Sequence, residues 1–233
     1  MPKILSDQQL TLLLTQNLNP KLMLLNMTDY NLEIMYKVMM KRIMKGCSAR
    51  YLSFLIGRPH DYVETIESLN APIYNEAELS VIALALEDED CSSYLPSVRC
   101  DDVFRVSIEK NKIGNRYYYY CGTFTSVERN FTRFILYENI DVNPNLGEGP
   151  MGKYNIDIVQ DAIFFIADER FFTVPRLPLE IYHKLNSFLG YKIDLYTLQL
   201  LLGWFTGDGY MFKKGLDEQQ RYTFQEILIE PNN

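Results

Sequence analysis

Six basic residues lie between Glu33 and Asp61, and no acidic residue lies among them. They are Lys37, Lys41, Arg42, Lys45, Arg50 and Arg58. Lysine and arginine make most protein contacts to nucleic-acid phosphates, and each contact adds affinity that is independent of base sequence. In a chain of net charge -7, this stretch predicts a local phosphate-binding surface. The alternative interpretation is a solvated face that balances acidic neighbours.

Short amphipathic helices must position these basic residues. Apolar residues recur at helical spacing from Leu32 to Ile43, and Ser48 and Asn75 each suit the N-cap of a further helix. The four predicted helices run from residue 28 to Gly46, Ser48 to Gly57, Pro59 to Glu67 and Asn75 to Leu86. We expect them to form one compact unit over residues 28–92. Before it, a helical arm is predicted within residues 1–27, from Ser6 to Leu18.

The second and third of these helices carry a family resemblance. The positions that match are Ser48, Leu52, Leu55, Gly57, Tyr62, Val63, Ile66 and Glu67. With them, residues 29–90 resemble the helix-turn-helix of the Cro/C1 phage-repressor family of bacterial regulators. The resemblance implies that the Pro59–Glu67 helix enters the DNA major groove, with His60, Asp61 and Glu64 at the base edges. Carboxylates there can accept a hydrogen bond from cytosine, but they repel phosphate.

The middle of the chain changes from helical to alternating periodicity. Apolar and polar residues alternate from Phe104 to Glu109, and two further aromatic-rich segments follow at residues 117–120 and 131–137. Gly114-Asn115 suits a hairpin turn between the first two segments. We therefore predict a three-stranded antiparallel β-meander, which with a turn-rich linker at 143–150 makes up residues 93–150.

The last part, residues 151–233, resembles a winged helix in element order alone. Three helices are predicted, around residues 156–164, from Pro178 and from Asp194 to Gly207, followed by a two-stranded hairpin. The third helix is apolar nearly all round, so it is expected to be covered on more than one side. We predict that Leu200 and Trp204 pack either on the β-meander or on a second copy of the chain, with the dimer favoured.

Enzymatic, metal-dependent and membrane functions find little support in the residue pattern. His60 and His183 are far apart, and the chain contains none of the common phosphate-binding or nucleophile motifs. The four cysteines include no CxxC pair, so neither a zinc site nor a disulfide framework is expected. No apolar run approaches the length of a membrane span, and the first residues do not form an export signal. We therefore expect a cytoplasmic protein that has no cofactor and is not an enzyme.

Together these patterns predict an α+β, mainly α fold and a DNA-binding transcriptional regulator that binds double-stranded DNA. The alternative is a protein–protein interaction adaptor that keeps a repressor-like scaffold without binding DNA. Lys41, Lys45 and Arg50 framing the exposed face of the Pro59–Glu67 helix would favour DNA binding. Glu64 and Glu67 dominating that face would favour the adaptor.

Overall fold

The computed structural model describes residues 25–124, 130–140, 154–207 and 211–227, and within them the chain is an α+β protein. Its helices are α1 (Asp29–Met44), α2 (Ala49–Leu55), α3 (Tyr62–Glu67), α4 (Glu76–Ala85), α5 (Tyr154–Asp168), α6 (Pro178–Leu189) and α7 (Leu195–Thr206). Its strands are β1 (Leu25–Thr28), β2 (Val103–Ile113), β3 (Arg116–Phe124), β4 (Asn130–Asn139), β5 (Phe212–Leu216) and β6 (Tyr222–Glu226). The predicted Ser6–Leu18 helix and the 143–150 linker lie outside the described residues.

Side-chain caps begin several helices where the sequence predicted them. The hydroxyl of Ser48 accepts a hydrogen bond from the Tyr51 amide at the start of α2. Asn75 and Glu78 form the predicted capping box of α4, and Asp194 caps α7. These caps satisfy amide groups that have no partner inside the helix, which fixes where each helix begins.

Helix α3 is shorter than the sequence predicted. Instead of starting at Pro59, it starts at Tyr62, whose amide donates to the Pro59 carbonyl in a turn. His60 and Asp61 therefore precede the helix, and the side chain of Asp61 forms no cap hydrogen bond. The prediction of the start was wrong because proline suits a turn as well as the first turn of a helix.

The predicted β-meander is present and gains a fourth strand. β2, β3 and β4 pair antiparallel, with Gly114 and Asn115 in the first turn. β1 adds to the free edge of β2, so the sheet order is β1-β2-β3-β4. This strand occupies the end of the segment that we assigned to a helical arm. Four residues are too few for a reliable alternation, and only the partner β2 makes them a strand.

Two hydrophobic cores meet at helix α2. The first core joins α1–α4 to the sheet, and the second joins α5–α7 to the β5–β6 hairpin. Leu52 and Ile56 of α2 belong to the first core, whereas Leu55 belongs to the second. The predicted division at residue 92 consequently does not separate two cores, since the helices before it and the strands after it pack together.

A buried ion pair links three elements of the first core. Arg42 on α1 is fully buried, with 0% of its surface exposed, and its guanidinium donates two hydrogen bonds to the carboxylate of Glu67 on α3. A third bond of 3.1 Å reaches Glu138 on β4. Glu67 is also buried, so each charge depends on the other for compensation.

We expect Arg42→Met to lower the free energy of unfolding by about 3–5 kcal/mol, because it leaves the Glu67 carboxylate buried without its partner. The double variant Arg42→Met/Glu67→Leu removes both charges and should recover a large share of that loss. Urea unfolding followed by circular dichroism measures both. A single variant within about 1 kcal/mol of the original protein, or a double variant no more stable than the single one, would contradict this role.

Candidate functional site

Helices α2 and α3 are held together as a pair by backbone and side-chain hydrogen bonds. The hydroxyl of Ser53 donates to the Ala49 carbonyl in α2 and accepts from the Val63 amide in α3 at 3.0 Å. Between the helices the backbone passes through Gly57 at φ +71°, a conformation that glycine adopts at little cost. The pair is therefore a fixed unit rather than two independent helices.

The three residues predicted to face DNA bases lie on the exposed side of this pair. His60, Asp61 and Glu64 are all exposed. The carboxylate of Glu64 binds the Lys110 ammonium of β2 at 2.8 Å. The remaining Glu67 points inward to Arg42. The exposed face of α3 thus carries two carboxylates, one of them paired with a lysine from the sheet.

Four of the six predicted phosphate contacts are occupied inside the chain. Lys37 binds Glu33 and the Leu95 carbonyl, Lys41 binds Asp88 and Ser93, Arg42 is the buried partner of Glu67, and Arg58 binds Glu78 and the carbonyls of Gln219 and Gln220. The acidic partners lie mostly outside the basic stretch, so the fold brings them to it. Arg42, being fully buried, cannot reach a phosphate in this conformation.

The other two predicted phosphate contacts, Lys45 and Arg50, are exposed but lie at different places. Lys45 borders a small depression shared with Glu87 and Lys192, away from α3. Arg50 lies in the first turn of α2, at a cleft that His60 also lines. Lys41, Lys45 and Arg50 were expected to frame α3. Of these three, only Arg50 lies near α3 and has no ion-paired carboxylate.

This cleft, with a volume of about 490 Å³, lies where the two cores meet. Its cationic or potentially cationic residues are Arg50, Arg58, His60 and Lys214, and no acidic residue among those that the structure describes lines it. Two aromatic residues of the second core, Phe54 on α2 and Phe224 on β6, form part of its wall. We name it the junction cleft. In a chain of net charge -7, such a lining is a local reversal of sign.

The cations of the junction cleft are incompletely satisfied. Within the described ranges, Arg50, His60 and Lys214 form no ion pair, and Lys214 rests with its ammonium 3.8 Å from the Tyr222 ring centre. Partial burial lowers the pKa of Lys214. Arg58 is paired with Glu78, yet its Nε is buried without a hydrogen-bond partner. An anion in the cleft would add favourable interactions with each of these groups.

The sequence gives no signal that connects Lys214 with Arg50. The two residues are far apart in the chain, and no spacing rule relates a hairpin strand to the first turn of a distant helix. Gln199 on α7, which also lines the cleft, carried no signal because an isolated glutamine on an apolar helix is ordinary.

Helix α7 leaves the predicted interface residues uncovered. Leu195, Leu198, Leu201 and Leu202 are buried in the second core, which contains no residue of the four-stranded sheet. Leu200 is half-buried, whereas Trp204 is 56% exposed and Tyr196 is 51% exposed. Of the two alternatives for this helix, packing of Trp204 on the β-meander is therefore wrong, and a second copy stays a prediction.

Comparison of the chain with protein-family models, curated proteins and solved structures finds no match. Among the residues that the structure describes, no group of histidine, cysteine or acidic side chains could hold a metal ion. In the same part of the chain, no helix has the length and apolar character needed to cross a membrane.

Gly57 should tolerate no side chain, because a Cβ there would lie 2.8 Å from the Tyr222 carbonyl oxygen of the hairpin. We expect Gly57→Ala to cost clearly more than Gly190→Ala, a change with the same left-handed backbone but nothing within 4 Å. The control should lose about 1 kcal/mol and Gly57→Ala about 2–4 kcal/mol. Equal losses in urea unfolding would show that the hairpin does not press on this turn.

Proposed function

We propose that this chain is a protein–protein interaction module built on a repressor-like helix-turn-helix scaffold, and that it pairs with a second copy of itself through α7. In this proposal the α2–α3 pair is a structural element and does not read duplex DNA. The observation that carries the proposal is a stripe on α7, formed by the exposed Tyr196 and Trp204 with the half-buried Leu200 between them, on a helix without a single charged residue.

The three residues of the α7 stripe are spaced for self-association. Tyr196 and Trp204 each stand four residues from Leu200, so the stripe has one aromatic residue at the same distance on either side of its centre. In an antiparallel pair with its two-fold axis beside Leu200, Tyr196 of one copy lies opposite Trp204 of the other, as an isologous interface requires. Large aromatic side chains at the centre of an interface supply much of its binding energy.

The charge distribution permits this pairing in spite of the acidic chain. Two copies of net charge -7 repel each other at long range. Because α7 contributes no charge, no like charges from this helix meet across the interface. Phe164, exposed on α5 and in contact with Phe205 of α7 at 5.3 Å between ring centres, extends the apolar surface beyond the stripe. An exposed surface of this kind is typical of an interaction site.

The charges of the α2–α3 pair also favour protein–protein interaction over DNA binding. Its exposed carboxylates, Asp61 and Glu64, would add negative charge at the DNA surface and repel phosphate, and four of the six expected phosphate contacts are occupied by groups of the chain itself. The hairpin also binds the turn of the pair, since the Tyr222 amide donates to the Gly57 carbonyl at 2.6 Å. DNA binding needs basic side chains that are not already paired within the chain. At α2, only Arg50 meets this condition.

Light scattering tests the pairing. At tens of micromolar we expect a mass of twice the 27.3 kDa chain, and Trp204→Glu should yield monomer because it buries a carboxylate against the apolar stripe. Tyr137→Glu is the control, since Tyr137 is equally exposed but lies on β4. A monomeric original protein, or a Trp204→Glu variant that stays dimeric, would refute the proposed interface.

DNA binding is the second candidate function, and the specific observation in its favour is the group of unpaired cations near α3. Arg50, His60 and Lys214 converge on the junction cleft without a carboxylate among its described lining residues. Under this alternative they would replace the predicted phosphate contacts, with His60 at the start of the reading helix.

Fluorescence anisotropy with a labelled pool of genomic duplexes at low salt distinguishes the two functions. We expect no saturable binding at concentrations where ordinary non-specific binding occurs, about 1–100 µM. Salt-dependent binding tighter than about 1 µM that is lost in Arg50→Glu and kept in Lys45→Glu would instead establish the DNA-binding function.

A further inference from the structure

The junction cleft combines a cationic lining with an apolar wall, on the surface of an acidic protein. Among the described residues its charged lining consists of Arg50, Arg58 and Lys214, supplied by α2, the turn before α3 and strand β5. Its remaining wall is largely apolar, with Phe54, Pro178 and Phe224 on facing elements. With about 490 Å³, it falls within the range of small-molecule sites and is too small for a folded partner.

From this lining we infer that the junction cleft binds a small organic phosphate that carries a planar ring, of which a mononucleotide is the simplest example. The phosphate would lie among Arg50, His60 and Lys214, and the ring would pack on the aromatic wall. The inference concerns a ligand site and does not depend on the pairing through α7.

The cationic side of the cleft suits a phosphate better than a neutral ligand. Arg50 on α2 and Lys214 on β5 are exposed and form no ion pair within the described residues, so an anion between them replaces solvent with two charge-assisted contacts. Lys214 is partly desolvated, which lowers its pKa, and a bound dianion would reverse that shift. Glu78 is the carboxylate nearest in the hydrogen-bond network, and it is already bound by Arg58 and by the Tyr62 hydroxyl.

The apolar side of the cleft favours a flat ring over a bare ion. The half-buried rings of Phe54 and Tyr222 offer aromatic surface, and the exposed Pro59 offers a rigid apolar face, whereas Phe224 and Pro178 are buried behind them. Gly203 of α7 has no atom within 4 Å of the place where a Cβ would stand, which leaves room beside Gln199 for a ligand to approach the helix. The amide of Gln199 can both donate and accept, so it is suited to the polar edge of a heterocyclic ring.

Isothermal titration calorimetry of the full chain with adenosine 5′-monophosphate tests the site. Adenosine supplies the ring alone, and inorganic phosphate supplies the charge alone. We expect saturable binding of the monophosphate with one site per chain, and each fragment at least about tenfold weaker. Rising salt should weaken the monophosphate and leave adenosine nearly unchanged.

Two neighbouring lysines provide a matched pair of variants. Lys214→Glu reverses a charge in the cleft. Lys213→Glu makes the same change on the preceding residue of β5, and Lys213 does not line the cleft. We expect Lys214→Glu to weaken the monophosphate at least tenfold and Lys213→Glu to change it less than about threefold. Lys214→Gln, a milder change, provides the same comparison if Lys214→Glu fails to give the original circular dichroism spectrum.

Three results would overturn the inference. The first is no saturable binding of the monophosphate up to about 5 mM, well above the range of specific small-molecule sites. The second is an equal effect of the substitutions at Lys213 and Lys214, which would indicate general charge attraction. The third is displacement of the monophosphate by a short DNA duplex at equal phosphate concentration, which would assign the cleft to a nucleic-acid backbone.

Discussion

The architecture depends on the placement of α2 between two cores. This seven-residue helix gives Leu52 to one core and Leu55 to the other, and Ile56, the residue after it, joins Leu52, so that of its seven residues only Arg50 is exposed. A short isolated helix is unstable in water, and packing on both sides compensates for that. The close approach of the hairpin to Gly57 and the junction cleft both follow from this arrangement, because two rounded cores that share one helix leave a concave surface beside it.

Charge compensation across the fold changes the meaning of the basic stretch. In the linear sequence the stretch is free of acidic residues. In the fold, four carboxylates form ion pairs with it: Glu67 from α3, Glu78 from α4, Asp88 from the loop after α4 and Glu138 from the sheet. The strongest case is Arg42, whose burial is possible only because two carboxylates accept its hydrogen bonds. A basic run that would attract phosphate in an extended chain therefore forms mainly ion pairs and hydrogen bonds within the folded chain. Of this basic stretch, Lys45 and Arg50 stay exposed without an ion pair in the described residues, and Arg50 lines the junction cleft.

Helix α7 serves both proposed sites with adjacent stripes. Gln199, Gly203 and Thr206 recur at i, i+4 and i+7 and line the cleft, while Tyr196, Leu200 and Trp204 form the α7 stripe beside them. A ligand in the cleft would therefore contact the same helix that we propose as the contact to a second copy. The two sites are physically connected through one rigid element, although each is argued from its own residues.

The local elements were largely determined by the sequence alone: the caps at Ser48, Asn75 and Asp194, the hairpin turn at Gly114 and the apolar stripes are short-range signals that act within one or two turns. His60, Asp61 and Glu64 were expected at the base edges from the family resemblance; all three are exposed, but His60 and Asp61 precede α3. Strand β1, the pairing of Arg42 with Glu67 and the meeting of Arg50 with Lys214 were decided only by the tertiary structure. Each joins residues distant in the chain, and neither periodicity nor composition specifies which distant surfaces meet, because that choice depends on packing the whole set of apolar faces at once.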